Sequence, residues 1–83
     1  MEKINFQKGD LSFFKKKYPK EFKNIKPFIA PDMNSIYISS DSDFNKVESS
    51  LFYAISDTQS IDKNGELTAM GLKIERMLDY LNS

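Results

Sequence analysis

The first part of the chain carries apolar residues at helical spacing, interrupted by a proline. The apolar residues recur every three or four positions, at Leu11, Phe14, Tyr18, Phe22, Ile25 and Ile29. Pro19 lacks an N–H, and its ring would clash with the carbonyl one turn earlier, so one continuous helix is excluded. We therefore predict two consecutive helices, over residues 10–18 and 19–26, with Asp10 as the N-cap of the first and Pro19 as the first residue of the second.

Two later segments repeat the helical period. In residues 43–56 one face collects the apolar side chains Phe44, Val47, Leu51, Ala54 and Ile55, after capping residues at 40–42. In residues 68–81 the matching face collects Met70, Ile74, Met77, Leu78 and Leu81, and Thr68 is the expected N-cap. Both segments are predicted to be helices, and together with the helix over 10–18 they are expected to enclose the core.

Residues 34–39 break this pattern and predict a short strand, because they are rich in β-branched and aromatic side chains. A lone strand leaves its backbone groups unpaired, so its partner must lie in the chain, in a second copy or in the target. The other segment that could form a strand is residues 58–68, a hairpin around the turn Asp62-Lys63-Asn64-Gly65. The fold class is therefore mainly α, α+β at the margin: a compact bundle of about four short helices with a short strand or small hairpin.

Composition bounds this fold and its location. The chain has 83 residues, 40 % of them hydrophobic, which suits one small globular domain spanning residues 1–83. Its apolar runs are too short to cross a bilayer, and no secretory signal opens the sequence. There is no Cys. We therefore expect a cytoplasmic protein without a membrane span or disulfides.

The residue types available argue against catalysis. His and Cys are both absent, so the usual base, the thiolate nucleophile and the commonest transition-metal ligands are missing. Residues 60–71 resemble a calcium-binding EF-hand loop, with Asp62 and Asn64 at ligand positions, yet Ser60 and Gly71 stand at its first and last ligand positions. A turn leading into the last helix is the favoured interpretation. We expect no enzyme, no metal site and no cofactor.

A second short segment points to nucleic acid. Leu67-Thr68-Ala69-Met70-Gly71 resembles the stretch that follows the wing in winged-helix transcription regulators. The resemblance implies residues 58–68 as the wing and residues 43–56 as the recognition helix. That helix carries Asp43 and Glu48 against a single Lys46, and its net negative charge would repel phosphates. A nucleic-acid-binding regulator of this type, using the Lys-rich N-terminal helices, is the alternative hypothesis.

Positive charge is concentrated at the start of the chain. Residues 1–26 hold eight Lys and three acidic residues, so they carry +5 and the remainder carries −5. The basic residues of the first two helices are Lys15, Lys16, Lys17, Lys20, Lys23 and Lys26. Such a run is either a solvated helix face attracted to the acidic half of the fold, or a surface for an acidic partner.

Three aromatic residues lie off the main apolar stripes of their helices, namely Phe13, Phe52 and Tyr53. They belong either to a second core face or to an exposed patch, and a protein this small can rarely bury both faces of a helix. Aromatic anchors surrounded by charge are typical of protein interfaces, including homodimers. We therefore predict a non-enzymatic protein-binding module, a small adaptor, inhibitor or immunity/antitoxin-type protein that acts by covering a partner's surface. Its predicted partner-binding residues are Lys15, Lys16, Lys17, Lys20, Lys23, Phe13, Phe52 and Tyr53.

Overall fold

Four α-helices and two short strands make up the computed structural model, which describes all 83 residues. In chain order the elements are β1 (Glu2–Asn5), α1 (Asp10–Lys17), α2 (Pro19–Ile25), a 3₁₀ turn (Lys26–Phe28), β2 (Ser35–Ile38), α3 (Asp41–Ile55) and α4 (Ala69–Asn82). The predicted fold class, mainly α with a small β element, is confirmed.

The predicted strand finds its partner in the first residues of the chain. β1 pairs with β2 in antiparallel register, with Glu2 opposite Ile38 and Asn5 opposite Ser35. The hairpin predicted for residues 58–68 is reduced to one isolated bridge between Ile61 and Leu67. Of the partners left open by the sequence, the structure therefore shows one within the chain, and it is not the 58–68 segment. The N-terminal segment takes that place because its buried Ile4 and Phe6 alternate with polar residues, which fits a strand with one face on the core.

The break between α1 and α2 follows the proline as predicted. Tyr18 has φ −133°, outside the helical region, and Pro19 is the first residue of α2. The predicted end of the second helix near residue 26 also agrees with α2, which ends at Ile25 and continues into the 3₁₀ turn. Pro27 lies inside the 3₁₀ turn, where its fixed φ is compatible with tight helical geometry and its missing N–H costs little at the first turn.

Asp10 differs from its predicted role. Gly9, at φ 91°, occupies the N-cap position of α1. Asp10 follows as the first helical residue and is only 3 % exposed. Its carboxylate accepts the N–H of Gln7 at 3.2 Å and forms an ion pair with Arg76 of α4 at 2.5 Å. A glycine suits the left-handed conformation found where α1 begins. The Asp10 carboxylate does not cap the helix and instead connects α1 to α4 through Arg76.

Every helix and both strands contribute to one core of sixteen buried apolar residues. Its members are Ile4, Phe6, Leu11, Phe14, Tyr18, Phe22, Ile25, Ile36, Ile38, Val47, Leu51, Ala54, Ile74, Met77, Leu78 and Leu81. The three helices expected to enclose the core do so, and α2 and the sheet complete it. The inner faces of α2 and α3 pack against each other in the core. The outer faces of these two helices are not part of it.

A buried hydrogen-bond chain fastens α1 to the turn that follows α3. The Ser60 hydroxyl donates to the Ala54 carbonyl at 2.6 Å. Because this uses its one hydrogen, the Tyr18 hydroxyl must be the donor in the 2.6 Å contact with the Ser60 Oγ. Burial raises the pKa of Tyr18 above its usual value of 10.0.

This tyrosine makes stability depend on alkaline pH. The pKa of Tyr18 is higher in the folded than in the unfolded protein. Its contribution to the free energy of unfolding is therefore complete below about pH 10 and is lost as pH rises through the pKa of the folded state. Tyr18→Phe should therefore lower stability near neutral pH by about 1 kcal/mol and flatten the alkaline loss of stability. Urea unfolding at pH 7 and at a series of alkaline pH values measures both effects. An equally steep alkaline loss in the variant would exclude Tyr18 as its source.

Candidate functional site

The predicted lysines all lie on the surface. Lys15, Lys16, Lys17, Lys20 and Lys23 are exposed, and none of them forms an ion pair, since the one ion pair in the structure joins Arg76 to Asp10. Lys15, Lys16 and Lys17 occupy the last turn of α1, where positive charge complements the helix dipole. These three lysines therefore have a structural reason to be where they are.

Lys17 and Lys20 face acidic neighbours. They border a shallow depression that also contains Glu21 and Asp57, beside Gln59. The Gln59 side-chain amide donates to the Lys17 carbonyl at 2.9 Å and so ties this region to the end of α1. Part of the basic charge is thus balanced by carboxylates of the fold itself, and the depression has no net charge to offer a partner.

A larger groove lies between α2 and α3. It has a volume of about 690 Å³ and is open to solvent on one side. One wall comes from α2 and the 3₁₀ turn, the other from the outer face of α3. The residues that line it are Lys23, Asn24, Pro27, Phe28, Asp43, Asn45, Lys46, Ser49, Ser50 and Tyr53. Of the predicted site residues, Lys23 and Tyr53 therefore meet here, although they are 30 positions apart.

Two small side chains of α3 belong to the lining of the groove. Ser49 is exposed there, whereas Ser50 is buried, and Pro27 and Phe28 line the same groove. The Ser50 hydroxyl donates to the Lys46 carbonyl of its own helix at 2.9 Å, so it does not reach across to α2. The sequence analysis did not identify Ser49 and Ser50 as site residues. Their only indication in the sequence is that two serines are adjacent in a helix whose inner face is otherwise apolar.

The lining of the groove carries a net positive charge, from Lys23 and Lys46 against Asp43. Asp43 has a local partner: its carboxylate accepts the N–H of Ser39 at 3.1 Å, while its own N–H donates to the Ser40 hydroxyl at 3.2 Å. This reciprocal arrangement caps the start of α3. Lys23 and Lys46 lack an ion-pair partner, so two cationic groups from different helices face one cleft.

Two aromatic side chains stand out of α3 beside this groove. Phe52 is 52 % exposed and Tyr53 is 72 % exposed. Tyr53 lines the groove, and both rings border a second, smaller depression with Ser49 and Ser56. Exposure on this scale leaves each ring with apolar surface that burial against a partner would stabilise.

Phe13 sits in a different place. It is half-buried against the core, in edge contact with Tyr18 at 5.9 Å between ring centroids. The ammonium of Lys73 lies 4.8 Å from the centre of its ring, within the range of a cation–π interaction. Phe13 lines neither depression that contains Phe52 or Tyr53. The structure therefore gives this residue a packing role between α1 and α4.

The segment that resembles a calcium loop is organised by its own backbone. One carboxylate oxygen of Asp62 accepts the N–H groups of Asn64 at 2.8 Å and Glu66 at 3.0 Å. Thr68 then caps α4 by accepting the N–H of Gly71 at 3.1 Å. No three acidic side chains are grouped so that they could share a metal ion.

We found no known protein family, curated protein or solved structure that matches this chain. The helices are also too short or too polar for any of them to cross a bilayer. The candidate site is thus defined by its geometry: a groove lined by two lysines, with two exposed aromatic rings at or beside it.

Proposed function

We propose that this chain is a non-enzymatic protein-binding module, of the inhibitor, adaptor or antitoxin type, that acts by covering a surface of its partner. The observation that carries the proposal is the pair of adjacent rings, Phe52 and Tyr53, exposed on α3 beside a basic groove. Large aromatic side chains with polar surroundings supply most of the energy at protein interfaces.

The residues around the groove support binding more than chemistry. Lys, Asn, Ser and Tyr line it, together with one carboxylate that accepts a backbone N–H. No nucleophile there is paired with a general base, which the common covalent mechanisms need. Such a lining recognises a surface through charge, hydrogen bonds and apolar contact.

The second candidate function, a nucleic-acid-binding regulator, is favoured by the exposed lysines of α1 and α2. The helix it would use for base reading begins with Asp41 and Asp43, whose charges oppose a phosphate backbone. The same protein carries a single Arg, and that residue is bound to Asp10. These features rank the nucleic-acid hypothesis second.

Affinity capture with matched variants tests the proposal. Phe52→Ala/Tyr53→Ala removes both anchors from exposed positions and should leave the fold intact. Leu72→Ala is the control, because Leu72 is 54 % exposed on α4, away from the groove. We expect wild type and the control to retain the same protein from a lysate, and the double variant to lose it.

Loss of each anchor should cost about 2 kcal/mol of binding, roughly a thirtyfold weaker interaction for each ring. Nuclease treatment should leave the captured protein in place. If all three proteins instead retain nucleic acid, and added nucleic acid displaces the captured protein, the nucleic-acid-binding hypothesis replaces this one. Sedimentation of the purified chain shows separately whether a second copy is the partner.

A further inference from the structure

We propose that the groove between α2 and α3 binds an acidic peptide segment of the partner, one that also carries an aromatic or aliphatic side chain. This inference rests on the protein-binding function proposed above and assigns its ligand chemistry. The binding residues would be Lys23 and Lys46 for carboxylates, Asn24 and Asn45 for backbone groups, and Tyr53 for the apolar side chain.

Charge complementarity selects the acidic segment. Lys23 on α2 and Lys46 on α3 line the cleft without ion-pair partners, and with the one carboxylate, Asp43, they leave the lining a net charge of +1. A ligand carboxylate in this groove gains attraction from both cations. A basic segment would be repelled by the same pair.

The apolar part of the lining selects a side chain rather than a bare anion. Pro27 and half-buried Phe28 form one wall, and Tyr53 rises on the other. Ser49, small and exposed, leaves the space between them open. A groove between two helices that offers apolar contact and flanking charge is the geometry that accepts a peptide, in helical or extended form.

The same lining disfavours a nucleic-acid strand. A phosphate backbone needs a longer track of cations, and this cleft offers two lysines and no arginine.

A defined probe tests the assignment. We would titrate the isotopically labelled protein with a random copolymer of glutamate and tyrosine, and follow backbone amide signals by NMR. The expected result is a set of shifts concentrated at residues 23–28 and 45–53. Signals that shift mainly in α1 or α4, or no shifts at all, would overturn the proposal.

Charge reversal supplies the matched comparison. Lys23→Glu/Lys46→Glu should weaken copolymer binding at least tenfold, whereas Lys15→Glu/Lys16→Glu changes the net charge equally from exposed positions on α1 and should weaken it about threefold or less. Equal losses in both variants would show that overall charge, and not the groove, attracts the copolymer. Circular dichroism of each variant checks that the fold is retained.

Filling the groove gives a test that leaves charge unchanged. Ser49→Trp places a bulky ring in the cleft from an exposed position, so it should block the copolymer while the protein stays folded. An oligothymidylate should bind more weakly than the copolymer at physiological salt. Tighter binding of the oligothymidylate at the same residues would assign the groove to nucleic acid instead.

Failure of this inference is separable from failure of the protein-binding function. If the captured protein is lost on Phe52→Ala/Tyr53→Ala but is unaffected by Lys23→Glu/Lys46→Glu and by Ser49→Trp, the chain binds protein through its exposed rings and the groove assignment is wrong. If no protein is captured by wild type, the function itself is contradicted.

Discussion

Phe14→Ala should destabilise the protein by about 4 kcal/mol, because it removes a large ring from a fully packed site. Phe14 has no exposed surface and stacks on Tyr18 with 5.5 Å between ring centroids. Domains of this size are typically stable by about 5–10 kcal/mol, so the variant should keep only about 1–6 kcal/mol and unfold at a much lower urea concentration than wild type. Urea unfolding followed by circular dichroism measures the loss.

The neighbouring phenylalanine is the natural control. Phe13→Ala makes the same change one position earlier, at a half-buried ring that contacts Lys73 and Tyr18. We expect it to cost about 1–2 kcal/mol, since less apolar surface is removed and solvent can fill the space. Equal losses for the two variants would contradict the packing described for α1.

Gly71→Ala should be almost as damaging, with a loss of about 3 kcal/mol, although alanine favours helices over glycine. A Cβ at Gly71 would overlap the backbone carbonyl oxygen of Ser60, which accepts the Thr68 N–H at 2.8 Å. The Ser60 segment would have to move, and its hydroxyl also bonds to Tyr18 and Ala54. The same unfolding measurement applies.

Gly65→Ala separates this steric effect from the intrinsic cost of replacing a glycine. Gly65 has φ 81° and open space around it. Its replacement should therefore cost only the strain of a positive φ, about 1 kcal/mol. If Gly71→Ala proves as mild as Gly65→Ala, the close approach of α4 to the turn at Ser60 is not as described.

Helices were the most predictable part of this fold because their inner faces are long and periodic. The 68–81 segment, with five apolar residues in register and a threonine cap, is matched within about a residue by α4. The break at Pro19 followed from the chemistry of one residue. Each of these signals is local, so no tertiary contact had to be known.

The strand partner and the role of Asp10 were less accessible because each depends on contacts between distant residues. β1 has four residues, and its inward Ile4 alone gives too little alternation to stand out from an irregular leader. Asp10 resembles an N-cap in sequence, and its ion pair with Arg76 spans 66 positions. Long-range pairing of this kind cannot be read from spacing.

The candidate site was predictable in its parts but not in its arrangement. The lysines were predicted to lie on the surface, and they do; of the three aromatic residues off the apolar stripes, Phe52 and Tyr53 are exposed and Phe13 is half-buried. The groove needed the packing of α2 against α3 to bring Lys23 next to Lys46 and Tyr53. The groove thus includes one lysine of the N-terminal cluster, Lys23. It also includes Lys46, which the sequence analysis had considered only as part of an acidic helix.

The central claim is that this protein acts by binding another protein through the exposed rings of α3. Calorimetric titration of the captured partner, purified, into wild type, Leu72→Ala and Phe52→Ala/Tyr53→Ala tests it most directly. We expect the control to match wild type and the double variant to bind at least about thirtyfold more weakly with its fold unchanged. Equal affinity for all three proteins would contradict the claim.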